Sequence, residues 1–158
     1  MSRIQEEIKQ GRPFRSAQEE AFVQLLRTYD LLYYELTEFL RPSGISPTQY
    51  NVLRILRGAG DVGLTCGEVG ERMVTREPDI TRLLDRVERQ GWIERRRQTD
   101  DRRVVRAWIK AEGLKLLSQI DKSLDRFQRS QFPKMSQEQL DALSRLLEQV
   151  RAREAPAD

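Results

Sequence analysis

Six arginines (Arg95, Arg96, Arg97, Arg102, Arg103 and Arg106) stand in one twelve-residue stretch against two acids, Asp100 and Asp101. The local charge is +4, above the +3 carried by the whole chain. Guanidinium groups at that density repel one another unless an anion receives them. Their planar, five-donor fork matches phosphate oxygens and guanine edges. Duplex DNA presents one negative charge per ~1.7 Å of axis, and a narrow minor groove deepens the potential that draws arginine inward. Asp100 and Asp101 would brace such a loop by pairing with neighbouring arginines. The alternative is a charged hairpin exposed to solvent with no ligand.

A second constellation precedes it. From Pro78 to Gln90 the apolar residues Ile80, Leu83, Leu84 and Val87 recur at helical spacing, and Gly91 follows as a stop. At 100° per residue the opposite direction carries Arg82, Asp85 and Arg89, flanked by Thr81 and Arg86. With Pro78 and Asp79 opening the helix, Thr81 and Arg82 fall in its first turn. An arginine there can make the bidentate contact to guanine, worth roughly 1–3 kcal/mol of discrimination. The competing reading is that Arg82, Arg86 and Arg89 pair with Asp85 and Glu88 on a solvated face.

The chain has 158 residues, a length that suits one compact domain with a real core. It has no His and one Cys, Cys66. A protein-built zinc site draws its ligands mainly from those two types, so no metal is expected. A Ser-His-Asp or Cys-His nucleophile lacks its base, and no glycine-rich phosphate loop is present. No enzymatic activity and no cofactor are expected. A single Cys forms no internal disulfide, and neither a signal segment nor an apolar run of roughly 20 residues occurs. These features predict a cytoplasmic protein with no membrane contact. The basic residues are 28 against 25 acidic ones, and 23 of them are Arg.

The elements that must position these residues are clearly punctuated. Ser16 and Glu19 form a capping-box pattern ahead of a long helix to about Arg41, where Pro42 ends it. Ser46-Pro47-x-Gln49 opens a short helix carrying Tyr50, Leu53 and Leu56, and Thr65-x-x-Glu68 opens another through about Met73. After the helix from Pro78, Trp92–Arg95 and Val104–Ile109 read as two short strands joined by the polar run Arg96–Arg103. Helical spacing resumes from Ala111, Pro133 interrupts it, and Ser136-x-x-Gln139 caps a last helix. The order is four helices, a hairpin and two helices. The fold class is therefore mainly α with a small β-hairpin wing, a winged helix-turn-helix.

Residues from about Ile45 to Gly113 resemble the multiple antibiotic resistance regulator (MarR) family of bacterial transcription factors. The resemblance rests on Gly44–Tyr50, Pro78–Glu88, Gly91–Arg95, then Asp101-Arg102-Arg103, an apolar Ile109 and Gly113, in that order and spacing. It implies a sequence-specific DNA-binding regulator, expected to be a ligand-responsive repressor on a palindromic operator. A winged module for protein contacts alone is the alternative. It also implies one MarR-type domain over residues 1–158. Residues 16–41 and 111–153 would supply the dimerisation helices, and residues 45–110 the DNA-binding lobe. Apolar stripes on the first and last helices independently favour a homodimer.

On the family pattern Arg103 is the wing arginine that reaches the minor groove, with Asp101 as its brace, while Thr81 and Arg82 are recognition-helix contacts. Pro78, Asp79 and Arg86 join the recognition-helix set, and Arg95, Arg96, Arg97 and Arg102 join the wing. Glu77 departs from the family by occupying its small-polar cap position, and Lys110 stands where Thr is common. The resemblance further implies a small phenolic or anionic aromatic effector. Tyr29, Tyr33 and Tyr34 with Arg54 or Arg57 could line its pocket, or the tyrosines are simply core. Cys66 is a candidate oxidant sensor or structural filler.

Overall fold

The computed structural model describes residues 2–98 and 103–152. In chain order the elements are α1 (Arg3–Glu7), α2 (Ala17–Leu40), α3 (Pro47–Ala59), β1 (Leu64–Thr65), α4 (Cys66–Arg72), α5 (Ile80–Arg89), β2 (Ile93–Arg97), β3 (Val105–Ile109), α6 (Ala111–Gln131) and α7 (Gln137–Arg151). The chain divides after Ser123 into two compact units.

Side-chain caps start α2, α3, α4 and α7 where the sequence places them. The Ser46 hydroxyl accepts from the Gln49 amide at 3.2 Å, and the Gln49 side chain accepts from the Ser46 amide at 3.0 Å. Thr65 with Glu68 and Ser136 with Gln139 repeat this reciprocal box. It satisfies two amides that the first helical turn leaves without partners. At α2 the pattern shifts by one residue: Ser16 caps the Glu19 amide at 3.1 Å, but the Glu19 carboxylate accepts from the Arg15 amide at 2.6 Å. The N-terminal stretch forms α1 with Ile4 buried.

Three strands form an antiparallel sheet in the order β1-β3-β2. The register pairs Ile93 with Ile109, Arg95 with Ala107 and Arg97 with Val105. Sequence periodicity predicted only the last two strands, because β1 spans two residues, Leu64 and Thr65, too few to alternate. Two glycines allow the close approaches that hold the sheet. Gly63 has φ +63° and a Cβ there would lie 2.4 Å from the Trp108 ring; a Cβ on Gly113 would lie 2.5 Å from the Trp92 carbonyl oxygen.

The core of this unit is continuous. Leu53 and Leu56 from α3, Val69 from α4, Leu83, Leu84 and Val87 from α5, Ile93, Ala107 and Leu117 are all buried together. Each such large aliphatic side chain contributes roughly 1.5–3 kcal/mol by leaving water. The second unit comprises the end of α6, a break around Pro133 and α7, in which no residue is buried. No helix among the described residues is long and apolar enough to cross a membrane.

Candidate nucleic-acid interface

Helix α5 is anchored by its apolar stripe and capped by an acid. Leu83, Leu84 and Val87 turn into the core, so Thr81, Arg82, Arg86 and Arg89 are exposed on the other side. The helix begins at Ile80, two residues later than the sequence suggested, with Asp79 as its N-cap. The Asp79 carboxylate accepts from the Arg82 amide at 2.9 Å. Pro78 and Asp79, expected within this helix, therefore precede it, and Glu77 is not its cap. A proline at the first helical position is the common arrangement. Here the short Asp side chain reaches the free amides and sets the start after it. Arg82 remains 81% exposed while its Nε lies 3.1 Å from Asp79 Oδ2.

The hairpin extends beside this helix, closed by the Gln98 amide donating to the Val104 carbonyl at 2.9 Å. Arg96, Arg97 and Arg103 are exposed on it. Arg96 is 67% exposed and pairs with Glu94 at 2.5 Å. Asp101 and Arg102, together with Asp100, lie outside the described residues.

Among the described arginines of the cluster, Arg95 departs from its expected wing contact, and Arg106 also turns inward. The Arg95 side chain is only 23% exposed and pairs with Asp85 at 2.5 Å and Glu88 at 2.8 Å. Burial lowers its proton affinity, but hydrogen bonds to Glu88 and Asp85 outweigh that and leave it raised. Arg106, 20% exposed, donates to Glu68 at 3.0 Å and to the Gly63 carbonyl at 3.1 Å. Hydrogen bonds from the Thr65 amide and hydroxyl, helped by Arg106, hold the Glu68 carboxyl below its ordinary range. Arg95 is thus a link between β2 and α5, not an outward wing contact. The cue was strand parity: Arg95 lies two residues from buried Ile93, so both point to the same face. Asp85 and Glu88 turn to Arg95, which removes them as solvent-face partners for Arg82 and Arg86.

The family model described as MarR family matches residues 45–105, which span α3 to the start of β3. A crystal structure of a MarR transcription factor from Planctomyces limnophilus is 34% identical. The match covers 86% of this chain and 98% of that one, with a TM-score of 0.66. The chain belongs to the MarR family. Among curated relatives, the HTH-type transcriptional regulator MhqR of Bacillus subtilis is 29% identical over 99 residues, 63% of this chain and 67% of that protein. Sco3205, a MarR family transcriptional regulator from Streptomyces coelicolor solved in complex with DNA, has the same fold at 22% identity. Its TM-score is 0.79, with 93% and 97% of the two chains covered.

The residues proposed for an effector pocket in this MarR-family chain go to different surroundings. The Tyr29 and Tyr33 rings lie 5.5 Å apart and tilted. Burial, then Tyr29 and Glu77, push the Tyr33 hydroxyl up. Tyr34 lines a cleft of about 480 Å³ with Ile4, Arg27 and Leu31. Arg54 lies 5.8 Å over the Tyr50 ring, and Arg57 pairs with Asp121 at 2.6 Å. Cys66 stands at the first turn of α4 with its sulfur 3.5 Å from the Thr81 hydroxyl.

Proposed function

We propose that this DNA-binding transcriptional regulator of the MarR family grips a palindromic operator as a homodimer, with α5 in the major groove and the β2–β3 hairpin on the adjacent minor groove. One observation carries the reading. Arg82, Arg86 and Arg89 on the outer side of α5 and Arg96, Arg97 and Arg103 on the neighbouring hairpin are all exposed. Thr81 and Arg82 read bases, while the hairpin arginines neutralise phosphates. The DNA complex of Sco3205 supports this placement over a module for protein contacts alone.

The pairing of two copies rests on apolar surface that one chain leaves in water. Helix α2 exposes Phe22, Leu26 and Tyr29 at 61%, 54% and 52%, and α7 exposes Leu146 and Val150 at 58% and 54%. Residues 16–41 and 111–153 supply the dimer helices, and residues 45–110 the DNA-binding lobe. Two α5 helices would then sit about one duplex turn, ~34 Å, apart.

We infer further that the protein acts in the cytoplasm, has no catalytic role and represses. A small phenolic or anionic aromatic compound would release it. The test is selection of duplexes from a random pool by purified protein, paired with light scattering at micromolar concentration. A palindromic consensus and a dimer mass are expected. An unselected pool or a monomer mass would overturn the corresponding part.

A further inference from the structure

Each helix of the helix-turn-helix is tied to the sheet by one half-buried arginine. From β3, Arg106 reaches Glu68 on α4. From β2, Arg95 reaches α5 with more bonds. Its Nε donates to Glu88 Oε2 at 2.9 Å, and one terminal nitrogen lies 2.5 Å from Asp85 Oδ1 and 2.8 Å from Glu88 Oε2. Its backbone amide donates to Glu88 Oε1 at 2.8 Å. Asp85 and Glu88 are three residues apart, so they lie one turn apart on the same side of α5.

The physical difference between this link and the core beside it is direction. Leu83, Leu84 and Val87 hold α5 against the sheet through burial, which is non-directional. A core of that kind fixes which side of the helix faces inward but leaves room for a small rotation about its axis. A planar guanidinium held between two carboxylates leaves less, because each hydrogen bond has a preferred angle as well as a length. The angle at which Thr81 and Arg82 present themselves relative to the wing depends on that small rotation, and the hairpin that bears Arg96 and Arg103 grows from the same strand as Arg95.

We propose that Arg95 is a positioning residue for sequence recognition: it sets the rotation of α5 against the wing, so that base contacts and hairpin phosphate contacts fall in one register. The inference rests on the DNA-binding reading above and assigns Arg95 no contact with DNA. Loss of the clamp should leave the hairpin arginines on phosphate and misalign Thr81 and Arg82. Selectivity should fall while general affinity stays.

The experiment compares wild-type dimer, the Arg95→Gln/Glu88→Gln double variant and Arg95→Lys. The probes are the selected duplex and a shuffled duplex of equal length, titrated over several salt concentrations. The double variant removes the clamp without changing net charge, so long-range attraction to DNA is preserved. Thermal melts place every titration well below the unfolding midpoint.

For the double variant, the ratio of affinities for the two duplexes should drop roughly tenfold or more, as loss of one good base contact would give. Binding to the shuffled duplex and the salt slope should stay near wild type. Arg95→Lys, which keeps the charge but not the fork, should lose selectivity to an intermediate degree. A weaker salt slope, by about two for the dimer, with parallel loss on both duplexes would make Arg95 a phosphate ligand and overturn the proposal. Unchanged selectivity in the double variant would overturn it too. If that variant does not fold, full selectivity in Arg95→Lys overturns it and a partial loss supports it. Failure of the wild-type dimer to prefer the selected duplex would instead defeat the functional reading, and this inference with it.

Discussion

The winged lobe and the flanking helices use apolar residues in opposite ways. In the lobe, Leu53, Leu56, Leu83 and Val87 are wholly removed from solvent, each stripe closing on another element of the same chain. On α2 and α7, side chains of the same type lie open: Phe22 is 61% exposed and Leu146 is 58% exposed. Helical periodicity marks an apolar face in both regions, but it does not reveal which chain covers that face. The lobe closes within one chain, and the flanking faces are the surface on which the proposed second copy would pack.

That contrast can be broken most forcefully in the lobe. Leu53→Ala should cost about 2–5 kcal/mol in denaturant unfolding, since it opens a cavity among groups that have no solvent to relax into. A loss below about 1 kcal/mol would mean that the lobe is less tightly closed than its burial implies. On the flanking side, Phe22→Asp should shift the dimer to monomer in sedimentation while the lobe keeps its helical circular dichroism. A full-strength dimer in that variant would move the interface elsewhere.

Within the lobe itself, Arg82→Ala should reduce discrimination between the selected and a base-substituted duplex by about 1–3 kcal/mol, with little change in thermal stability. Asp79→Ala should destabilise by about 1 kcal/mol through loss of the α5 cap. Measured together by titration and thermal melting, the two variants separate reading from folding on adjacent turns of chain.

The smallest effect concerns pH. The Glu68 carboxyl is held below the 4.5 typical of glutamate. Its contribution to stability is therefore present above that value and is lost as pH falls through the lower folded-state value. A Glu68→Gln variant keeps the cap geometry but not the charge, so its melting temperature should fall less steeply than wild type on acidification below pH ~4.5. Parallel acid limbs in the two proteins would remove Glu68 from the account.

Much of this architecture is legible in the sequence because its signals are local. Ser46 with Gln49, Thr65 with Glu68 and Ser136 with Gln139 are reciprocal caps that need no tertiary context, and the stripe Ile80, Leu83, Leu84, Val87 orients α5 unaided. Other features depend on partners distant in the chain. Strand β1 exists because β3 pairs with it, and two residues carry no period of their own. The start of α5 turned on whether Glu77 or Asp79 reaches the first free amides, a matter of side-chain length that the Pro78 signal obscured. The arginine cluster was visible as charge, but its sorting into exposed Arg96 and Arg97 and inward Arg95 and Arg106 depends on acids distant in the chain, Asp85 and Glu88 for Arg95 and Glu68 for Arg106. The tyrosines and arginines expected around an effector share helical spacing, yet Arg54 meets Tyr50 and Arg57 meets Asp121.

The salt dependence of binding measures most directly whether the exposed arginines of the hairpin, with Arg86 and Arg89 of α5, neutralise duplex phosphates. With about five phosphates engaged per subunit, the logarithm of the association constant should fall against the logarithm of salt concentration with a slope near −9. A slope close to zero for the purified dimer on its selected duplex would contradict the account.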